Sequence, residues 1–109
     1  MSRRSPRELL TPAALHILLS LANEEAHGYA IKHAVEERTG GRLSLGPGTL
    51  YEAIHRMAAS GWIAEVPGQG RRRVYRITGE GRKVLDDELR RLDDIVSFAR
   101  GADLLPRRT

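Results

Sequence analysis

Three guanidinium groups stand in a row at Arg71-Arg72-Arg73, just past the breaker Pro67-Gly68-Gln69-Gly70, and Arg76 follows them. Cations held together against their own repulsion make sense beside a polyanion, and arginine forks match phosphate oxygens well. A second group lies earlier in the chain. Thr49, Tyr51, Glu52, His55 and Arg56 bring a hydroxyl, a phenol, a carboxylate, an imidazole and a guanidinium. Such groups contact phosphates and base edges in the grooves of a duplex. The chemistry on offer is recognition of a polyanion. A charge run alone is more often a solvated surface, so the weight of this reading depends on where the chain places these residues.

The remaining reactive side chains do not assemble into a reaction centre. Of the four histidines, His16, His27, His33 and His55, no two stand at the i, i+4 spacing of a helical zinc pair, and the chain has no cysteine. There is no Gly-x-Ser-x-Gly elbow. The Gly68-Gln69-Gly70 turn lacks the Gly-Lys-Ser/Thr and the directly following helix of a phosphate-cradling loop. The expectation is no enzyme, no metal and no cofactor.

The totals agree with a small binding protein. A chain of 109 residues has room for one domain, and 40% hydrophobic content supports a small core that gains from a partner. Eighteen Lys+Arg against fourteen Asp+Glu leave a net charge of +4. The excess is mostly arginine, clustered also at Arg3-Arg4 and Arg107-Arg108, while acids gather at Glu24-Glu25 and Asp86-Asp87-Glu88. No apolar run approaches the ~20 residues of a membrane span, and no charged-then-apolar leader opens the chain. A soluble, cytoplasmic protein without a membrane partner is expected.

These groups must be held by particular elements. Residues 1–8 read as a flexible basic arm. Thr11 suits an N-cap and Pro12 a first helical residue, so a helix is expected from Pro12 to about Asn23. Its Leu15, Leu18, Leu19 and Ala22, with Ala14, Ile17 and Leu21 beside them, form an apolar surface broad enough to be buried on several sides. Asn23 to Ala26 reads as a connector. A second helix opens at His27-Gly28-Tyr29 and ends at Gly40-Gly41, and the alternation of Leu43 and Leu45 hints at a short extended piece after it. Gly46 to Gly61 then reads as a complete helix. Pro47 starts it, Leu50, Ile54 and Met57 make one stripe, and Gly61 stops it. The five polar residues named above lie off that stripe, so this is the expected recognition helix.

After Gly61 the period changes from 3.6 to 2. Trp62 to Val66 and Arg73 to Ile77 read as two strands of a hairpin, with Tyr75 and Ile77 on its core face and the arginines at its projecting tip. Thr78 caps a last helix from about Gly79 to Arg100, with Glu80 in its first turn. Its Leu85, Leu89, Leu92, Val96 and Ala99 trace a heptad seam, widened by Ile95 and Phe98. Self-pairing of that seam or packing on the chain's own domain would both produce it; dimerisation is the preferred reading. Gly101 to Thr109 is a loose basic tail. The expected fold is mainly α with a small β-hairpin: a winged helix-turn-helix over residues 9–78 and a dimerisation helix over 79–100.

His27-Gly28-Tyr29, Pro47-Gly48-Thr49-Leu50-Tyr51 and Arg72-Arg73-Val74-Tyr75-Arg76-Ile77-Thr78, followed by Gly81-Arg82, resemble the signature blocks of PadR-type transcriptional regulators. The opening Leu10-Thr11-Pro12 fits as well. The resemblance covers roughly residues 9 to 100, in its short form with a single C-terminal dimerisation helix. It implies a homodimeric repressor that binds double-stranded DNA and is released by a small-molecule effector. It also implies that Thr49 and Tyr51 touch the DNA backbone, that Leu50 packs inside, and that Arg72 and Arg73 are the basic residues of the wing. With Phe98 the sole aromatic of the last helix, an aromatic-lined effector pocket between subunits is not expected. A second reading stays open on the acidic clusters and the modest net charge: a winged-helix module that binds a protein and not DNA.

Overall fold

A computed structural model describes residues 10–68 and 70–106. The basic arm 1–8, Leu9, Gln69 of the turn and the last residues 107–109 lie outside the described residues. Seven elements follow in order: α1 (Pro12–Asn23), β1 (Ala26–His27), α2 (Gly28–Arg38), α3 (Pro47–Ala59), β2 (Ile63–Val66), β3 (Val74–Ile77) and α4 (Gly79–Gly101).

Each helix begins where a side chain or a proline deals with the unpaired N–H groups of its first turn. The Thr11 hydroxyl accepts from the N–H of Ala14 at 3.1 Å, and that of Thr78 from Gly81 at 3.0 Å. Gly46 gives α3 no side-chain cap, and Pro47 in the first turn removes one of the donors that would need it. At the other end Gly61 adopts φ +82, its N–H bonds to Ala58 and that of Trp62 to Met57. This paired C-terminal closure requires a left-handed residue at that position. Asp103 closes α4 in the same way at φ +62, so the tail is ordered through its first turn.

The core sits where α1 crosses the other elements. Ile17, Leu18 and Leu21 of α1 meet Ile31 and Val35 of α2, Leu50, Ile54 and Met57 of α3, Tyr75 of β3, and Val84 and Leu85 of α4. The expected broad burial of α1 follows from this central place. Leu45 is buried too, but the piece around it is irregular and is not one of the strands of the sheet. Among the described residues no helix is long and apolar enough to cross a membrane.

The sheet differs from the expected two-stranded hairpin. It has three antiparallel strands in the order β1-β3-β2. Ala26 pairs with Tyr75 and His27 with Val74, so part of the expected connector is a strand. Two residues are too few to show a period, and only the partner strand defines them. The hairpin strands begin one residue later than expected, at Ile63 and Val74, and Ile77 is half-buried where a core place was expected. Gly81 carries the start of α4 against this sheet: an added Cβ would collide with the backbone carbonyl of Trp62.

Only the first part of α4 belongs to the subunit core. Leu85 is 2% exposed and lies inside it, so it is not on offer to a partner. Beyond the buried Glu88, which Arg91 pairs at 2.7 Å, the helix leaves the body of the domain. Leu89, Ile95 (51% exposed) and Phe98 (74%) stand on it uncovered, with Leu92, Val96 and Ala99 half-buried, and Leu104 and Leu105 extend the apolar surface past its end.

Candidate nucleic-acid interface

The stripe of Leu50, Ala53, Ile54 and Met57 pins α3 to the core and thereby turns its other face outward. Thr49, Tyr51, Glu52, His55 and Arg56 are all exposed on that face. Glu52 and Arg56 approach to only 3.9 Å with both side chains largely in water. An ion pair of that kind contributes little, so Arg56 remains available to another partner. Arg71, Arg72, Arg73 and Arg76 are exposed as well. Arg76 follows Tyr75 on β3 and so points to the opposite face of the sheet from that core residue.

The fold brings part of this set together. Tyr51 of α3 and Arg71 to Arg73 of the wing line one open cleft, with His27, Gly28 and Tyr29 as its third wall. The approach of α3 to α2 is close: a Cβ on Gly28 would lie 2.7 Å from the Tyr51 hydroxyl oxygen. His27 does two things here. Its Nδ1 accepts from the N–H of Ala30 at 3.3 Å, which caps α2, and its Nε2 lies 3.2 Å from Nη1 of Arg72. None of the described residues lining the cleft is acidic. Thr49, Glu52, His55, Arg56 and Arg76 do not line it and lie on the neighbouring open surface.

His27, Gly28 and Tyr29 are therefore part of this surface, although the spacing of residues points to them only as the opening of a helix. A usable signal was present in the row itself, which sets an imidazole, a position without Cβ and a phenol side by side. Its meaning depends on β1 pairing with β3, which carries the wing to His27 across 45 residues.

Comparison with known proteins decides the family. The model of the transcriptional regulator PadR-like family matches residues 17–87. The chain belongs to this family. It is 40% identical over 85 residues to the transcriptional regulator Rv3488 of Mycobacterium tuberculosis, covering 74% of this chain and 76% of that one. It is 40% identical over 76 residues to an uncharacterized 37.1 kDa protein in transposon TN4556 from Streptomyces fradiae. That match covers 70% of this chain but only 21% of the Streptomyces protein. Among solved structures, a PadR family transcription regulator from Clostridium difficile superposes with a TM-score of 0.71 at 26% identity, covering 84% of this chain and 97% of that one. Bacillus subtilis PadR in complex with operator DNA gives a TM-score of 0.62 at 26% identity, over 70% of this chain and 45% of that one. Of the blocks that carry the resemblance, this PadR-like chain sets His27 to Tyr29, Tyr51 and the wing arginines around one cleft.

Proposed function

We propose that this PadR-like regulator binds operator DNA as a homodimer and represses transcription until a small ligand releases it. The observation that supports DNA binding most is the cleft itself. The exposed Tyr51 phenol of α3 lines it beside three wing arginines, and none of its described lining residues is a carboxylate. In this reading α3 enters a major groove, with His55 and Arg56 toward base edges. Thr49 and Tyr51 meet the backbone, Arg71 to Arg73 hold flanking phosphates, and Glu52 and Arg76 border the contact. The DNA-bound PadR of Bacillus subtilis supports it by fold. For the dimer, the support is the apolar stripe from Leu89 through Leu92, Ile95, Val96, Phe98 and Ala99, of which Leu89, Ile95 and Phe98 are exposed and the other three half-buried. A two-fold pair would place its half-sites about one helical turn apart, ~34 Å. Repression and ligand release rest on family resemblance.

The test is titration of a duplex taken from upstream of the gene at several salt concentrations. Each phosphate neutralised contributes about −0.9 to the slope of log K against log salt. Arg72→Ala with Arg73→Ala is expected to weaken binding to all sequences alike and to flatten the slope by about 1.8 for each wing engaged, about 3.6 for the dimer. An unchanged slope removes the wing from the interface. A wild-type protein indifferent to duplex at low salt removes DNA binding altogether.

A further inference from the structure

We propose that His27 and Arg72 form a seat for a single phosphodiester of the DNA backbone, with the Tyr51 phenol at its edge. The proposal deepens the DNA-binding reading above and rests on it. It begins from a count of donors. A neutral imidazole has one N–H and one lone pair, and a guanidinium has donors only. Ala30 can offer Nδ1 of His27 nothing but its N–H, at 3.3 Å, so the lone pair is used there and the ring proton sits on Nε2. Yet Nε2 lies 3.2 Å from a guanidinium nitrogen of Arg72. Two donors are set against each other. The other tautomer only moves the conflict, since Nδ1–H would then face the Ala30 N–H. A protonated ring conflicts at both ends.

An oxygen carrying negative charge, accepting from Nε2–H and from Arg72 together, removes the conflict in the capped tautomer. None of the described residues lining the cleft is a carboxylate that could play this part. A phosphodiester has two non-bridging oxygens and one charge, enough for the imidazole and the guanidinium at once. The surroundings favour it further. The Tyr51 hydroxyl stands at the first residue of α2, Arg71 and Arg73 add positive potential, and the start of α2 contributes the positive end of its dipole. A phosphate held there would tie the wing to α2 and α3 in one contact, which fixes the angle at which α3 meets the groove.

The two nitrogens of His27 can be tested separately. Asparagine sets its amide where Nδ1 stands, keeps a good cap and deletes the distal donor. Glutamine reaches the place of Nε2 and gives up the cap. The probe is a short duplex from upstream of the gene, read by fluorescence anisotropy, with thermal melts of each variant. His27→Asn is expected to melt like the wild type and to bind about ten-fold more weakly. His27→Gln is expected to melt lower and, well below its melting point, to bind nearer to the wild type. Combined with Arg72→Ala, His27→Asn should cost far less than it does alone, because the two groups share one phosphate. A neutral methylphosphonate at one position per half-site should cost the wild type at least as much as His27→Asn does, and should cost His27→Asn clearly less than it costs the wild type.

His27→Asn binding at wild-type strength overturns the seat, as do fully additive losses with Arg72→Ala, or His27→Gln as impaired as His27→Asn. In each case the wild type still binds duplex, so the DNA-binding reading survives. A wild type that ignores duplex sinks both.

Discussion

Gly28→Ala is expected to separate stability from the DNA recognition proposed for Tyr51. A Cβ at residue 28 would stand 2.7 Å from Oη, 3.0 Å from Cζ and 3.1 Å from Cε1 of Tyr51, whereas ordinary contact begins near 3.4 Å. The phenol must withdraw by about 0.7 Å at its tip, on the order of 6° in χ1 and far inside a rotamer well. The ring is 50% exposed, so little besides water resists it. Alanine also restricts the unfolded chain, which favours the folded state by about 0.4–1 kcal/mol where the backbone accepts it. The melting temperature is therefore expected to hold or to rise by a few degrees, up to about 5 °C. DNA binding should move the other way. A phenol-to-phosphate hydrogen bond near 2.7 Å does not survive a shift of ~0.7 Å, and such bonds contribute about 1.5–3 kcal/mol. With the backbone following part of the way, the lower figure applies, about ten-fold in Kd. Calorimetry and anisotropy titrations of Gly28→Ala, Tyr51→Phe and the double variant give the comparison, and the two single losses should overlap. The reasoning fails if Gly28→Ala melts well below the wild type, or if it binds duplex just as tightly.

Three further outcomes are expected. Gly81→Ala meets the carbonyl of Trp62, a backbone atom that cannot swing aside. It should destabilise by at least about 2 kcal/mol in a denaturant melt, and a neutral result would mean that α4 shifts freely on the sheet. Ile95→Asp with Phe98→Asp places charge on the uncovered part of α4 without touching the subunit core. Sedimentation should report a folded monomer, and a persistent dimer would put the contact elsewhere. His16, 3.3 Å from Arg38, has its pKa held below the usual 6.5, first by burial and then by the guanidinium charge. The unfolded chain then takes up a proton before the folded one does, so stability should decline as pH falls through about 6.5 until the folded pKa is passed. His16→Asn should flatten that decline in urea melts at several pH values. An equal slope in both proteins would remove the assignment.

Much of the architecture was legible because local chemistry and tertiary demands agree. Thr11-Pro12, Pro47 and Thr78 mark helix starts that need no distant partner, and Gly61 marks a stop for the same reason. The stripe of Leu50, Ile54 and Met57 identified the buried face of α3, and so its exposed one. β1 was not legible. Ala26 and His27 have no pattern of their own and become a strand only because Val74 and Tyr75 lie opposite. The seam of α4 could not be divided by inspection either, since a heptad looks the same whether it packs on its own domain or on a copy of itself. In the folded chain the division falls after Glu88, where the helix runs off the core.

From the residues alone came the kind of chemistry, the order of elements and the face that α3 presents, because helix signals and side-chain periodicity act over a few residues. The meeting of His27, Tyr51 and Arg72 was decided only by the folded chain. Those three belong to different elements, and the contact between them is set by the register of β1 against β3 and by the space left where Gly28 has no side chain. No local pattern encodes such a register, for it is fixed by how the whole core closes around α1.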